Sequence, residues 1–325
     1  MMTEYLYPVD KYNTNTLIET FSSQWAEHYT DHPTDWEFSG YDLLPRHQLL
    51  LRYVSEREMT EEEAGEEGHI LRHYYVARYD MLKDCFTDDC WFCYADGEVC
   101  YNFMKDGGLY SVINCGTAGP FMVRKESGKE RFRTRNLGDY VVGFQCDRKG
   151  RMHVGYACSL DEDVLYRVFE SGKRTKEYHL ERGGYGDAIY LDGSDNVYYY
   201  VAGWKQIYGK DSAGKLIPQT MTVDCEDSID GFGMSRNQER MVAVSLRDGE
   251  NSLIYRFTNH GGVYDEPVRC AIHGAEPEAG IQGAAFCDSY GIIENGSKLL
   301  VIDLNYCTEE DRKKYDELEK AVRGK

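Results

Sequence analysis

The fold is decided by the stretch Asp139-Tyr140-Val141-Val142-Gly143-Phe144-Gln145-Cys146-Asp147-Arg148-Lys149-Gly150-Arg151-Met152-His153-Val154-Gly155-Tyr156 and by Val164-Leu165-Tyr166-Arg167-Val168-Phe169-Glu170-Ser171-Gly172-Lys173, which follows it. Apolar and polar residues alternate between turn residues at hairpin spacing. The pattern predicts strand, Asp-x-x-Gly turn, strand, acidic loop, strand, Ser-Gly turn and strand. This is one four-stranded antiparallel unit.

The unit recurs downstream. A second copy begins at Asp187 and turns at 192–196, and a third begins at Asp230 and turns at 236–239. Each copy has a tyrosine on its third predicted strand, and the spacing of these residues suits propeller blades of roughly 40–50 residues: Tyr166, Tyr208 and Tyr255. Tyr110 is interpreted as the marker of an earlier unit.

Less regular strand patterns flank these copies, at 41–54 and 69–79 upstream and at 283–304 downstream. The last unit is incomplete, so residues near the amino terminus are expected to supply its missing strand and close the ring. We therefore predict an all-β chain, a single closed β-propeller of about six blades with short terminal helices; five or seven blades are also compatible. The predicted divisions are an amino-terminal segment with a short helix and a ring-closing strand (1–35), the propeller (36–305) and a carboxy-terminal helix (306–325).

The segment 143–156 resembles the strand, Asp-x-x-Gly turn and strand of NHL and TolB-like six-bladed propellers. The resemblance extends over about residues 36–305, at the level of architecture. That class contains scaffolds, lactonases, peptide-processing enzymes and peptidase-associated lids. The resemblance therefore implies a fold and leaves the function open.

The composition of the chain limits the classes of partner that it is expected to bind. The net charge of −19 argues against a general phosphate-binding surface for nucleic acid, and equally against anionic membranes. A basic protein partner remains, and simple solubility is the plainer explanation. Residues 1–10 lack the pattern of a signal peptide, so we expect a cytoplasmic protein. We also expect it to be a monomer on its own. Eleven cysteines, an odd number, favour reduced core thiols over a disulfide framework.

The leading functional hypothesis is a non-catalytic scaffold that binds a basic protein through a propeller loop face. The chain has no G-x-S-x-G elbow, H-E-x-x-H motif or phosphate-binding P-loop, and no cofactor is predicted. Its densest acidic run, 56–68, lies between two predicted strands. A solvated hairpin tip is the alternative interpretation of that run. The candidate partner-binding residues are Glu61, Glu62, Glu63, Glu66 and Glu67.

The competing hypothesis is a propeller hydrolase, lactonase or glycosidase with an acidic site at the mouth of a central channel. Aligning the units on Asp147, Asp192, Ser235 and Asp288 places one set of polar residues near the starts of first strands: Asp89, Asp187, Asp230 and Gln282. Such a set would ligate Ca²⁺ or divide acid and base roles. Alternatively, these side chains cap strand starts or bond backbone amides.

One cysteine cluster has metal-like spacing: Cys85, Cys90, Cys93 and Cys100. Residues three apart in a strand point to opposite faces, which disfavours zinc. Near the amino terminus, Leu17, Phe21 and Trp25 fall at helical spacing behind a Thr or Asn cap. Thr308 precedes a second helical pattern, whose first turn is acidic and whose end is basic.

Overall fold

The computed structural model of the protein describes residues 4–28, 36–44, 47–58, 70–94, 98–105, 108–114, 121–126, 129–133, 140–146, 151–157, 164–170, 173–180, 189–201, 206–217, 221–222, 229–246, 252–260 and 263–323. In chain order its helices and strands are β1 (Glu4–Leu6), β2 (Asp10–Asn13), α1 (Thr14–His28), β3 (Glu37–Leu44), β4 (Gln48–Glu58), β5 (Ile70–Asp80), β6 (Cys85–Tyr94), β7 (Glu98–Lys105), β8 (Gly108–Asn114), β9 (Phe121–Glu126), β10 (Lys129–Arg133), β11 (Tyr140–Cys146), β12 (Met152–Ala157), β13 (Val164–Glu170), β14 (Lys173–Leu180), β15 (Ile189–Leu191), β16 (Val197–Val201), β17 (Gln206–Lys210), β18 (Met221–Thr222), β19 (Gly231–Met234), β20 (Arg240–Ser245), β21 (Leu253–His260), β22 (Val263–Tyr264), β23 (Val268–Ile272), β24 (Gly283–Cys287), β25 (Tyr290–Asn295), β26 (Lys298–Asp303) and α2 (Glu309–Arg323).

The strands of this part of the chain form sheets arranged as in a β-propeller. Sheets 1 to 4 have four strands each, in the orders β3-β4-β5-β6, β7-β8-β9-β10, β11-β12-β13-β14 and β15-β16-β17-β18. Sheet 5 has six strands, β19-β20-β21-β23-β1 with β22 on β21, and sheet 6 has the order β24-β25-β26-β2. The predicted all-β class is confirmed, and the two described helices lie near the two ends of the sequence.

Each sheet has two distinct ends, because neighbouring strands run antiparallel, apart from β1, which runs parallel to β23. At the turn end, the first strand joins the second and the third joins the fourth, except in sheet 6, whose fourth strand is β2. At the loop end, the second strand joins the third, and the chain passes to the first strand of the next sheet. The first strands pack side by side, β3 on β7, β7 on β11, β11 on β15, β15 on β19, β19 on β24 and β24 on β3.

The predicted repeat pattern is confirmed in its strand positions. Tyr166, Tyr208 and Tyr255 all lie on third strands, β13, β17 and β21. Asp192, Ser235 and Asp288 each directly follow a first strand, while Asp147 lies outside the described residues. The interpretation of Tyr110 was wrong, because Tyr110 lies on β8, the second strand of sheet 2.

Aspartate side chains hold the tight turns by accepting main-chain hydrogen bonds. Asp192 Oδ1 accepts from the amides of Ser194 at 2.7 Å and Asn196 at 3.0 Å. An aspartate can bond amides two and more residues ahead in this way, which is why this residue favours turns. Asp195 adopts the left-handed φ of 63° that this turn requires.

The cores lie between sheets rather than within them. One cluster joins sheets 4, 5 and 6 and includes Tyr190, Phe232 and Phe286. Another joins sheets 6 and 1 beneath α1, where the buried Phe21 ring stacks on Tyr53 with 4.2 Å between centroids. The two apolar faces are hidden from water against each other, which is the main stabilising term for such layers.

The amino-terminal residues belong to two sheets. β1 runs parallel to β23 at the edge of sheet 5, and Glu4 forms an ion pair with Arg256 there. β2 pairs antiparallel with β26 and is the fourth strand of sheet 6. Asn13 then caps α1, because its Oδ1 accepts from the amides of Asn15 at 2.9 Å and Thr16 at 3.2 Å.

The carboxy-terminal helix α2 is attached at its first turn. The Thr308 hydroxyl donates to Asp311 Oδ2 at 2.6 Å, and the Asp311 amide donates back to the Thr308 hydroxyl at 3.3 Å. Asp311 also accepts two bonds from Arg240 of β20, at 2.6 and 3.2 Å. Neither described helix has the length and apolarity that crossing a membrane would take. Four described cysteines are free thiols: Cys85, Cys270, Cys287 and Cys307.

Candidate functional site at the loop end

The predicted site residues divide into three groups. Asp230 and Gln282 directly precede β19 and β24, so the structure brings both to the loop end of neighbouring first strands. Asp187 lies outside the described residues, as do Glu61, Glu62, Glu63, Glu66 and Glu67. The placement of Asp89 on a first strand was wrong.

Asp89 lies in β6, the fourth strand of sheet 1, which is the strand farthest from the row of first strands. A strand pattern in the sequence does not reveal the position of that strand within its sheet. The same strand contains Cys90 and Cys93, so the zinc-like spacing falls on one extended segment. The described residues include no group of three His, Cys, Asp or Glu side chains placed to hold a metal ion.

Asp230 links the two inner strands of sheet 5. Its Oδ2 accepts from the Leu246 amide at 2.6 Å, and its own amide donates to the Val244 carbonyl at 2.9 Å. Burial raises the pKa of the Asp230 carboxyl, and the bond from Leu246 opposes that rise. One oxygen of this carboxylate therefore already has a main-chain partner.

Gln282 fastens the loop that precedes sheet 6. Its Nε2 donates to the Ala279 carbonyl at 2.7 Å, and its Oε1 accepts from the Gly296 amide at 2.8 Å. Asn295 reinforces this loop, because its Oδ1 accepts from the Glu276 amide at 2.6 Å. The loop is thus held in one shape and displays two exposed carboxylates, Glu276 and Glu278.

Sequence reasoning missed Glu294, which lies on β25 opposite Gly283 of β24. A Cβ added to Gly283 would lie 3.1 Å from Glu294 Oε2 and 3.6 Å from the Tyr41 hydroxyl of sheet 1. The sequence did contain a signal: Glu294 is the one acidic residue of the strand β25 (Tyr290–Asn295), and its partner on β24 is a glycine.

The Glu294 carboxylate is half-buried, and no hydrogen-bond donor of the described residues reaches it. Burial raises its pKa, and the positive charge of Arg52 opposes the rise. Burial likewise raises the pKa of Tyr41 well above its ordinary value, so the phenol keeps its proton. It donates that proton to the Ile292 carbonyl at 3.4 Å.

An ion pair between Arg52 and Asp42 lies near Glu294. Arg52 is buried and its Nη1 forms an ion pair with Asp42 on the neighbouring strand. The guanidinium lies across Gly40, where an added Cβ would be 2.6 Å from Arg52 Nη2. Arg52 therefore has two acidic neighbours: Asp42, with which it forms the ion pair, and Glu294, whose pKa its charge lowers.

At the turn end of sheets 4 to 6, one buried aromatic side chain links the three sheets. Tyr190 is 1% exposed, and its hydroxyl bonds to the Met234 carbonyl of sheet 5 at 3.1 Å and to the Asp288 carbonyl of sheet 6. Burial raises the pKa of Tyr190 well above its ordinary value.

Comparison with known proteins is informative for the fold. No protein-family model matches the chain, and no curated protein matches it. A chain from a crystal structure of a mitotic checkpoint complex is similar in structure, with 10% identity, a TM-score of 0.52, and 84% of this chain and 95% of that chain covered.

Two further solved structures are similar over much of their length. A catalytically inactive virginiamycin B lyase from Staphylococcus aureus, with quinupristin, has 9% identity, a TM-score of 0.48 and coverage of 83% and 100%. A putative 6-phosphogluconolactonase from Bacteroides uniformis has 11% identity, a TM-score of 0.46 and coverage of 76% and 74%. At 10% identity, the likeness to the chain of the mitotic checkpoint complex is one of fold alone.

Proposed function

We propose that this protein is a closed six-bladed propeller of the NHL and TolB-like kind, acting as a non-catalytic scaffold that binds a basic protein at its loop end. Two observations support the ring. The contacts between first strands pass through all six sheets and return from β24 to β3. β2 completes sheet 6, as a ring joined by its amino-terminal residues would require. On this proposal, residues 36–305 form the ring, completed by a strand from residues 1–35, and residues 306–325 lie outside it.

The observation that carries the binding proposal is a group of carboxylates at the loop end. Four described acidic residues lie there on or beside sheets 5 and 6: Asp230, Glu276, Glu278 and Glu294. Lys298 compensates one of them, since its Nζ lies 3.0 Å from Glu276 Oε1. Glu58 and Ile70, the described residues on either side of 59–69, are paired at the loop end of β4 and β5.

A negative surface on a chain of net charge −19 attracts basic proteins over distances of about a Debye length, roughly 8 Å at physiological salt. Such a surface governs the association rate and the choice of partner more than the strength of the final complex. A scaffold needs nothing further from the fold than a rigid face that presents these charges. The alternative hydrolase site stays a prediction, with Asp230 and Gln282 as its described members.

The test is quantitative capture of proteins from the native organism at low and high salt. Glu276→Gln/Glu278→Gln removes two exposed charges from the loop end. Glu239→Gln/Glu266→Gln is the matched control, because these two residues are also exposed but lie at the turn end of sheet 5. The reduced loop-end charge is expected to lower capture of basic proteins a few-fold, since each exposed charge pair contributes about 0.2–1 kcal/mol.

Capture by the control variant should equal that of the wild type, and high salt should weaken both. The proposal would be abandoned if the captured proteins were not basic. Equal losses in the two variants would also overturn it, because they would show a general effect of net charge rather than a face.

A further inference from the structure

We infer that Asn295 is a positioning residue of the loop end, because it locks the acidic loop before sheet 6 in the one shape that the basic partner recognises. That loop, residues 274–282, directly precedes β24 and carries Glu276 and Glu278; we call it the 274–282 loop. The inference rests on the proposed function and deepens it. Capture of the partner depends on where these carboxylates are held, and not on net charge alone.

The Asn295 side chain is matched to the main chain of this loop. It is 3% exposed, and its Oδ1 accepts from the Glu276 amide at 2.6 Å. Its Nδ2 donates to the Glu276 carbonyl at 3.1 Å and to the Gly280 carbonyl at 2.5 Å. A side-chain amide has two N–H donors and one carbonyl oxygen, so all three are used on one loop. An aspartate in this place would lack both donors.

Close packing and further hydrogen bonds hold the loop against its neighbours. The Ile281 amide donates to Ser252 Oγ, directly before β21 of sheet 5, at 2.9 Å. A Cβ added to Gly296 would lie 3.1 Å from Ala279 Cβ and 3.2 Å from Glu276 Oε2, so the loop lies directly on the turn between β25 and β26. Within the loop, the Ala279 amide donates to the Glu276 carbonyl at 3.2 Å. Sheets 5 and 6 therefore both hold the loop.

A loop held in this way presents its carboxylates at fixed positions. Glu276 and Glu278 are exposed on either side of Pro277, whose ring fixes its own φ. Ordering a loop on binding costs free energy, and a loop that is already ordered avoids that cost. Fixed charges also discriminate between partners, since a mismatched arrangement of Lys and Arg would leave charges unpaired. Asn295 thus acts on the partner through these carboxylates, without touching it.

Asn295→Asp separates the effect of loop shape from the effect of charge. The substituted side chain has the same size and can still accept from the Glu276 amide, but it loses both donors and sets a carboxylate against two carbonyl groups. It also adds one negative charge to the loop end. A diffuse acidic surface would therefore capture more basic protein in this variant, whereas a surface that depends on loop shape would capture less.

Asn305→Asp is the matched control, at the turn end of sheet 6. The Asn305 side chain accepts from the Arg236 amide at 3.0 Å. It donates to Asp303 Oδ1 at 2.8 Å and to Ser289 Oγ at 2.9 Å. The control therefore adds the same charge and removes a comparable set of hydrogen bonds, away from the 274–282 loop.

Gln282→Ala is a second variant, which loosens the loop without any change of charge. Gln282 is exposed, and its substitution removes the bonds to the Ala279 carbonyl and from the Gly296 amide. Substitutions of exposed residues are usually mild, so this variant should fold even if Asn295→Asp does not.

Two measurements are made on each variant: hydrogen exchange of peptides covering 274–282, read by mass spectrometry, and capture of basic proteins from the native organism at low salt. We expect exchange in the loop to be about tenfold faster in Asn295→Asp, as the loss of a buried hydrogen bond would cause. Capture should be about threefold lower despite the added charge. Gln282→Ala should change both in the same direction by less, and Asn305→Asp should leave both at their wild-type values.

The inference is overturned if Asn295→Asp captures as much basic protein as the wild type or more, if exchange in the loop is unchanged, or if Asn305→Asp loses capture equally. Should Asn295→Asp not fold, equal capture by Gln282→Ala and the wild type overturns it.

Failure of the proposed function gives a different result. If the wild type captures no basic protein, the scaffold function falls and takes the inference with it. If the wild type captures basic proteins and Asn295→Asp captures them equally, the scaffold stands and only the role of Asn295 is refuted.

Discussion

Gly233→Ala should destabilise the protein because the space beside Gly233 is already occupied. An added Cβ would lie 2.6 Å from Phe286 Cδ1 and 2.9 Å from Leu304 Cδ1, both shorter than real side-chain contacts allow. The Phe286 ring has no room on its other side, where a Cβ added to Gly291 would be 2.6 Å from its Cε1. The ring is therefore clamped between glycines of sheets 5 and 6.

The expected magnitude has two opposing terms. Overpacking a close-packed core costs about 1–3 kcal/mol. Replacing glycine by alanine also restricts the unfolded chain, which stabilises by about 0.4–1 kcal/mol. The net loss for Gly233→Ala is then about 1–2 kcal/mol of unfolding free energy. Gly231→Ala is the matched control on the same strand, since its nearest neighbour would be Phe286 Cε2 at 3.4 Å.

Urea unfolding followed by circular dichroism and tyrosine fluorescence would measure both variants by linear extrapolation. Gly231→Ala is expected to be neutral or slightly stabilising, so the two substitutions should differ in sign. Phe286→Leu should relieve most of the loss in Gly233→Ala, as a double-mutant cycle would reveal. Equal effects at 231 and 233, or additive effects with Phe286→Leu, would refute the packing argument.

Three further substitutions have defined outcomes. Tyr190→Phe leaves main-chain carbonyls of sheets 5 and 6 without the hydroxyl that donates to them, and should cost about 1–3 kcal/mol of unfolding free energy. Tyr208→Phe is the comparison, because the Tyr208 hydroxyl donates to the Gln206 side chain of the same strand, and it should cost less than about 1 kcal/mol in the same urea titration. Burial raises the pKa of Asp311, but hydrogen bonds from Thr308 and Arg240 outweigh it and lower that pKa. The stabilisation from Asp311 is therefore complete above the unfolded value of about 3.9 and lost as pH falls through the folded pKa, so Asp311→Asn should flatten the acid limb of a stability profile against pH. Asn13→Ala removes the cap of α1 and should cost about 1 kcal/mol, measured as a lower urea midpoint.

The sequence predicts the parts of this fold that rest on local chemistry. Asp192 shows why, since an aspartate that bonds the amides of its own turn encodes that turn in four or five residues. The third-strand position of Tyr208 and Tyr255 follows from the same repeat. The cap at Asn13 is equally local. Each of these features can be predicted without knowledge of distant parts of the chain.

Features that depend on distant residues could not be predicted in this way. Asp89 belongs to a fourth strand and Tyr110 to a second strand. A strand pattern in the sequence does not reveal which place that strand takes in its sheet. Glu294 becomes notable only beside Tyr41, which the fold brings from another sheet. The candidate site therefore required the packing of sheet 6 against sheet 1, which no local pattern contains.

The membership of residues 4–13 in sheets 5 and 6 sets an order of events during synthesis. The ion pair of Glu4 with Arg256 spans 252 residues, and the hydrogen bond of Asn13 with Ser297 spans 284. Sheets 1 to 4 are each built from neighbouring strands and can form as they leave the ribosome, whereas pairings across such separations form slowly. β1 and β2 are therefore made well before their partners β23 and β26. Until β23 and β26 have been made, β1 and β2 are exposed to pairing with other chains, so the nascent protein is vulnerable to aggregation over that interval.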